Sequence, residues 1–382
     1  MFIRPKKPQQ EENVRHTLDD LGYEFERDSG YLVSKRTGER YTYDQPGSDK
    51  RRCKEVYNSL IYPASREVYK ILTSNELRMQ GIAVPDAIQP HSMIYATVGA
   101  LSKKHLVVLI TGYGNFGAAW GWNVLVRCGL KKGSMIEYIS SCVERGFGVL
   151  VLNPNENIVA PDGTAETFNS YMGRSMPISG SETPNEHVGY VWRTVIRDSA
   201  AQSVVFVSHG SAGITVVDLL KYDYARFTRK VAGAAFIDST HSTFMLGSGA
   251  VSWLGQAARD WETARAADSA TPAESSERLG CLAVQVVNDS DYRELTPSLC
   301  MDELLDYVDS RFRQGPVSGI AEMQPNELPY GAAASAVEAG AGLSSSSDDD
   351  VADNSNVLDN VAFIQNTYNS KAANEGGYVG WD

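Results

Sequence analysis

From about residue 93 onward the chain alternates short apolar runs with amphipathic stretches. The runs cover 93–98, 106–110, 149–152, 204–207, 234–237 and 282–287. Unbroken apolar runs of this length mark strands buried on both faces, and helices between them make the sheet mostly parallel. Two of the intervening helices carry start signals of their own. Ser134 and Glu137 fit an S-x-x-E capping box whose helix stops at Gly146, after Arg145. Thr183-Pro184-Asn185-Glu186 joins a capping box to a proline at the first helical position, and Val188, Val191, Trp192, Val195 and Ile196 then recur along one helix face. A last helix is predicted from about Asp302, burying Leu304, Leu305, Val308 and Phe312.

Before residue 93 the pattern is weaker. Residues 12–92 read as an elaboration of helix, hairpin and helix. A short helix passes through Val14 and Leu18. Strands at 31–33 and 41–43 flank a turn at Arg36-Thr37-Gly38-Glu39, and a helix over 50–72 presents Val56, Leu60 and Ile61. Such a hairpin is marginal alone and must pack on a larger body. Residues 1–11 are expected to be a flexible N-terminus. The core domain is expected to run over 93–328. From 329 to 382 the composition collapses into Gly331-Ala332-Ala333-Ala334 and Ser344-Ser345-Ser346-Ser347-Asp348-Asp349-Asp350. That acidic tail cannot bury enough surface to offset chain entropy and is expected to be disordered, with one short apolar segment at 357–368.

Charge sharpens this division. The 382 residues carry a formal net charge of −12. Eight acidic residues against Lys371 put −7 of it after Pro329, leaving −5 for everything earlier. A mildly acidic domain is a poor binder of polyanions unless basic residues cluster. Lys50-Arg51-Arg52-Cys53-Lys54 and Lys103-Lys104 are such clusters, but without interleaved aromatics they give direct RNA binding only weak support. The five cysteines are odd in number and far apart, with no C-x-x-C pair, which suits a reduced intracellular protein without a metal site. No run approaches 18 apolar residues, and no Walker loop or G-x-G-x-x-G follows a strand. Neither a membrane span nor a nucleotide cofactor is expected, and no cofactor of any kind.

Candidate chemistry sits at one point. Val204-Val205-Phe206-Val207-Ser208-His209-Gly210-Ser211-Ala212-Gly213, with a helical continuation, is a strand, a tight turn and a helix. That is the setting of the nucleophile elbow of α/β-hydrolases. In the frame favoured by the strand end, the nucleophile position is Gly210, which has no atom with which to attack. In the frame G-x-S-x-G, with His209 in place of the first glycine, it is Ser211. The acid should follow the next strand, where Asp238 stands in Asp238-Ser239-Thr240-His241. The base should follow the run at 282–287, and there Arg293 stands, with no histidine anywhere after His241. An arginine cannot take a proton from a serine. The vestigial triad positions are therefore Gly210, Asp238 and Arg293, and no catalytic residue is expected. Thr111, Gly112, Tyr113, Gly114, His209, Ser211 and His241 are candidates to line the former pocket. A serine hydrolase working through a displaced Ser211 is the alternative.

Several motifs together resemble the Argonaute-binding-protein-two (Arb-two) domain family. They are Leu109-Ile110-Thr111-Gly112-Tyr113-Gly114, the stretch from Gly146 through Leu152-Asn153-Pro154-Asn155-Glu156-Asn157, Glu186-His187-Val188-Gly189-Tyr190-Val191-Trp192, the elbow, Asp238-Ser239-Thr240-His241 and Glu294-Leu295-Thr296. Leu21-Gly22-Tyr23 and Thr37-Gly38-Glu39 extend the match over about residues 14–315. The resemblance is nearest to the animal cotranscriptional regulators. It implies an α/β-hydrolase-like fold in nuclear or cytoplasmic proteins linked to small-RNA silencing, heterochromatin and splicing control, with Argonaute, chromatin or splicing factors as partners. A related domain ends some class II histone deacetylases. The resemblance also implies that the family's serine falls on Gly210 and its histidine on Arg293. Thr111 takes the place of an oxyanion-loop histidine. The expected function is a catalytically inactive, partner-binding scaffold.

Overall fold

The computed structural model describes residues 16–317, apart from 46, 48, 86–90, 116–117, 160–164, 168–175, 267–274 and 291. The N-terminus expected at 1–11, the tail expected at 329–382 and its apolar segment at 357–368 lie outside the described residues.

The elements run in order as follows. A first group holds β1 (Tyr23–Phe25), β2 (Leu32–Ser34), α1 (Lys50–Leu72), β3 (Gln80–Val84), β4 (Ser92–Ala96) and β5 (His105–Ile110). Next come α2 (Trp122–Cys128), α3 (Leu130–Gly133), α4 (Ile136–Glu144), β6 (Gly148–Val151), β7 (Glu156–Val159), β8 (Ala165–Thr167), β9 (Met176–Pro177) and α5 (Pro184–Val191). The last group is β10 (Ser203–His209), α6 (Ala212–Tyr222), α7 (Tyr224–Lys230), β11 (Val231–Ile237), α8 (Ser248–Ala257), β12 (Ala258–Ala264), α9 (Ser275–Leu279), β13 (Leu282–Val287), α10 (Thr296–Leu299) and α11 (Met301–Gln314).

Eight strands form one sheet in the order β13-β12-β11-β10-β5-β6-β4-β3. Pairing is parallel from β13 through β6, and β4 is antiparallel to both β6 and β3. Strand alternation sends successive side chains to opposite faces. Val107 and Leu109 of β5 therefore join Leu60, Ile139, Leu304 and Val308 from α1, α4 and α11 on one side. Leu106, Val108 and Ile110 join Val188, Val216 and Trp253 from α5, α6 and α8 on the other. The mostly parallel sheet is what the apolar pattern predicted, and its three layers have the α/β-hydrolase-like architecture that the family resemblance implied.

Differences lie where the apolar signal is short or mixed. The N-terminal hairpin pairs β1 with β2, so 23–25 supply the first strand, and Tyr41-Thr42-Tyr43 lies outside any strand. Three residues of alternating exposure are too brief to announce a strand. In place of a helix through Leu18, residues 18–22 form a turn closed by the Tyr23 N–H on the Leu18 carbonyl at 2.8 Å. Ser134 makes no capping box with Glu137. Its hydroxyl donates to the Leu130 carbonyl at 2.6 Å and accepts the Ile136 N–H at 3.3 Å, so it links α3 to α4. β3 and β12 are strands that the apolar runs did not mark. β12 reads Ala-Arg-Asp-Trp-Glu-Thr-Ala, an inner strand whose Asp260 is buried beside Trp261.

The chain leaves β5 to place β6 on one side, then returns to place β10 on the other. Ligand sites in such sheets form at the carboxyl ends of the strands where the order reverses. Here that point is the crevice between the loop after β5 and the turn after β10.

At α5 the Thr183 hydroxyl accepts the Glu186 N–H at 3.2 Å, with Pro184 in the first turn. Thr183→Ala is expected to lower the free energy of unfolding by about 1 kcal/mol with an unchanged slope in a urea titration.

Candidate functional site

Gly210 begins the turn between β10 and α6 with φ +58°, in the left-handed region that an elbow requires. A Cβ built on it would have only the Gly112 Cα within 4.0 Å, so a side chain has room there. Ser211 follows as the first residue of the α6 N-terminus. Its Oγ accepts the backbone N–H of Tyr113 at 2.8 Å. The loop after β5 thus rests directly on the elbow. Gly112 makes this possible, since a Cβ there would lie 3.0 Å from the His209 carbonyl oxygen.

The loop is held from behind by the Asn153–Asn157 motif that follows β6. The Asn155 side chain donates to the carbonyls of Gly112 at 2.8 Å and Asn115 at 2.6 Å. Asn153 donates to Glu156 at 2.5 Å and to the Tyr69 hydroxyl at 2.7 Å, and Tyr69 itself donates to Glu156 at 2.8 Å. Asn157 donates to the carbonyls of Pro154 and Ser181. His187 accepts the Asn153 N–H at 3.4 Å through Nε2, so Nδ1 donates to the Ser181 hydroxyl at 2.7 Å. Burial drops its pKa to about 3, which keeps the ring neutral. Thr111 is buried, its hydroxyl donating to the Ala119 carbonyl at 2.7 Å. Gly114 sits at φ +80° in the turn beyond, and Tyr113 is 58% exposed.

Asp238 directly follows β11, with φ +48°. Its two carboxylate oxygens accept the N–H and hydroxyl of Thr263 at 2.7 and 2.6 Å. Arg293 reaches it from the loop after β13, with Nη2 3.6 Å from Oδ1. The acid and base positions are therefore brought together, as a carboxylate and a guanidinium. His209 is 8% exposed, and burial lowers its pKa, while Asp238 and Glu294 raise it and Arg293 lowers it further. His241 stands apart from this set. Its Nε2–H donates to the Leu279 carbonyl at 3.0 Å, so Nδ1 accepts the Ser239 hydroxyl at 2.6 Å. Burial takes its pKa to about 4. It supports the floor of the elbow, because Ser239 and His241 fill the space that a Cβ on Gly213 would need.

The Arb2 domain model matches residues 14–266. The chain belongs to the Arb2 domain family. Cotranscriptional regulator ARB2A of Mus musculus is 28% identical over 291 residues, spanning 64% of this chain and 69% of its own. The ARB2A homolog of Gallus gallus is 27% identical over 290 residues, with the same two coverages. The putative protein ARB2BP of Homo sapiens is 25% identical over 277 residues, spanning 64% of this chain and 76% of its own. Among solved structures, a histone deacetylase from Saccharomyces cerevisiae covers 66% of this chain and 98% of its own, at a TM-score of 0.42 and 12% identity. An S-formylglutathione hydrolase from Agrobacterium tumefaciens covers 61% and 95%, at 0.38 and 11%.

Two further groups in this Arb2 domain carried no sequence signal. Arg127 of α2 donates to the Tyr292 hydroxyl at 2.9 Å and lies over the rings of Tyr43 and Tyr57, 4.3 and 5.3 Å from their centroids. It thereby ties the N-terminal elaboration to the loop that carries Arg293. Asp260 is the other. Its Oδ1 accepts the Ser239 N–H at 3.0 Å, Oδ2 has no partner among the described residues, and burial raises its pKa to about 7. A carboxyl whose folded pKa exceeds its unfolded value holds a proton that the unfolded chain has lost, so it makes stability fall as pH rises between about 4 and 7. His241 works in the opposite direction between about 4 and 6.5. Asp260→Asn removes the first effect alone. Relative to the parent, the variant is expected to gain stability by up to about 1.4 kcal/mol per pH unit across that window and to level off above it, in urea titrations at stepped pH.

Proposed function

We propose that this Arb2 domain is a non-catalytic α/β-hydrolase-like scaffold that binds protein partners in gene regulation, with chromatin, splicing and small-RNA silencing factors, Argonaute among them, as the partner classes. The observation that carries the reading is the pairing of Asp238 with Arg293 beside a glycine at the elbow. A triad needs a nucleophile, a base that can take its proton, and an acid that orients the base. Gly210 offers no nucleophile. A guanidinium cannot take a proton from a serine, and that of Arg293 lies 3.6 Å from the acid. In a serine protease, loss of the nucleophile alone costs about 10⁶-fold in kcat. The names of the relatives as cotranscriptional regulators support a regulatory, nuclear setting.

Ser211 is a weaker basis for activity. Its Oγ is engaged with the Tyr113 N–H, an oxyanion-type donor that an acyl substrate would need. His209 and His241 are buried and held neutral, and no hydrogen bond joins either to Ser211 among the described residues. Direct RNA binding has no better support, since Arg51 of the basic helix start is paired with Glu55 at 3.0 Å.

Fluorophosphonate is expected to leave the purified full chain unlabelled, and Ser211→Ala to change nothing. The double variant Gly210→Ser, Arg293→His is expected to gain an adduct on the introduced serine, detected by mass spectrometry. Labelling of the parent chain at Ser211, with turnover of a short-chain ester, refutes the non-catalytic reading. Affinity purification from nuclear extract with mass spectrometry tests the partner classes, and recovery of no chromatin, spliceosomal or Argonaute component counts against them.

A further inference from the structure

The N-terminal hairpin and the corner between α2 and α3 bring three cations together. Gly129 turns that corner with φ +87°, and a Cβ on it would come within 2.4 Å of the Gly30 carbonyl oxygen, so the hairpin lies directly on the corner. The same carbonyl accepts the Leu130 N–H at 2.9 Å. Arg40, bridged to Val33 in the hairpin, thereby reaches the end of α2. Its guanidinium lies 3.8 Å from the centroid of Tyr31, and its Nη2 donates to the Arg127 carbonyl at 2.5 Å. That bond also covers one of the acceptors left at the end of α2, which would otherwise repel an anion. Lys131 of α3 donates to the Asp28 carbonyl at 2.9 Å, whereas exposed Lys132 has no bond among the described residues.

None of Arg40, Arg127 and Lys132 forms an ion pair among the described residues, although Lys35 of the same hairpin pairs with Asp19 and Glu24. Arg127 is the informative member. It is half-buried among three tyrosine rings, its Nη1 donates to the Tyr292 hydroxyl, and its enclosed Nε has no partner. Its Nη2 has no partner either and is not enclosed. A cation partly withdrawn from water without an opposite charge is held at a cost that an incoming anion relieves. The half-buried Cys128 thiol registers the whole cluster: burial raises its pKa, and Arg40, Lys132 and Arg127 lower it, with no carboxylate of the described residues acting on it.

The chemistry of the cluster selects the ligand. Two guanidiniums steadied by rings and by a main-chain bond lose little freedom on binding. A phosphoryl group brings a charge of about −1.5 to −2 and three acceptor oxygens to such cations, where a carboxylate brings half the charge. A nucleic-acid strand needs ring faces on which bases can stack. Here guanidiniums lie over the rings of Tyr31 and Tyr43.

We infer that Arg40, Arg127 and Lys132 receive the phosphoryl group of a phosphorylated segment in a protein partner. In naming a protein ligand the inference rests on the partner-binding reading.

The probe is a short glycine–alanine peptide bearing one phosphoserine, titrated into the ¹⁵N-labelled full chain, with the glutamate and serine versions of the peptide and a single-stranded oligouridylate as comparisons. The phosphopeptide is expected to give saturable shifts at the Arg40, Cys128 and Lys132 amides. The glutamate version should bind at least about tenfold more weakly, and the serine version should give no saturable shift. Lys132→Gln disturbs no bond among the described residues and is expected to weaken the phosphopeptide by about threefold. The double variant Arg40→Gln, Lys132→Gln is expected to lose the saturable response with the urea midpoint unchanged. Absence of saturable shifts, equal binding of the phosphoserine and glutamate peptides, or an unaffected Lys132→Gln variant each overturn the inference and leave the partner-binding reading standing. Tighter binding of oligouridylate at the same amides overturns the inference and counts against the partner-binding reading as well, so the two failures are distinguishable.

Discussion

Two loops leave neighbouring strands of the sheet and touch with nothing but backbone between them. Gly112 lies on the His209 carbonyl, and a Cβ on Gly210 would lie 4.0 Å from the Gly112 Cα. A residue with a Cβ at 112 would force the loop outward by several tenths of an ångström. Much of the site's geometry follows from that approach. It delivers the Tyr113 N–H to Ser211, and it places the Gly112 carbonyl where the Asn155 amide can reach it. Buried amides with both hydrogens satisfied specify a single loop conformation, since leaving either carbonyl unpaired costs about 1–3 kcal/mol.

The sequence motif around Asn153–Asn157 thereby acquires a meaning different from its appearance. Four polar residues around a proline at a strand end read as a polar turn. In the structure they face inward and act as a bracket for the loop of the neighbouring strand. Tyr69 of α1 enters the same bracket, so a residue more than 80 positions away shares in fixing the crevice. Nothing in local periodicity encodes such a contact. The strand, turn and helix at 203–222 were legible for the opposite reason. Apolar run, glycine turn and helix follow one another without a break, and each local preference agrees with the fold. β12 escaped notice because Arg259, Asp260 and Glu262 interrupt its apolar pattern, although the interruption is tolerated once Ser239 supplies an N–H to Asp260. The positions of Gly210, Asp238 and Arg293 could be read from chain order. The ion pair between the last two could not, because it depends on how the loop after β13 curls back.

Arg293 also alters what the acid means. In a working triad the carboxylate exists to steady an imidazole that becomes charged. Here both oxygens of Asp238 accept from Thr263, and the group that reaches the carboxylate from the loop after β13 is a guanidinium and not an imidazole. The architecture around it remains that of a site: an elbow in the left-handed region, a helix start aimed at the crevice, and a loop held close.

The ring cluster around Arg127 bears on how this chain can be dissected. Tyr43 and Tyr57 come from the N-terminal elaboration and Tyr292 from the loop beside Arg293, and one guanidinium binds all three. A fragment beginning after residue 57 strips two rings from the cation that also bonds the loop carrying Arg293. Deletion mapping therefore confounds the two regions. A partner lost on trimming the chain back past Tyr57 is not thereby located on the part removed, and point substitutions on the hairpin surface are the sounder means of drawing that boundary.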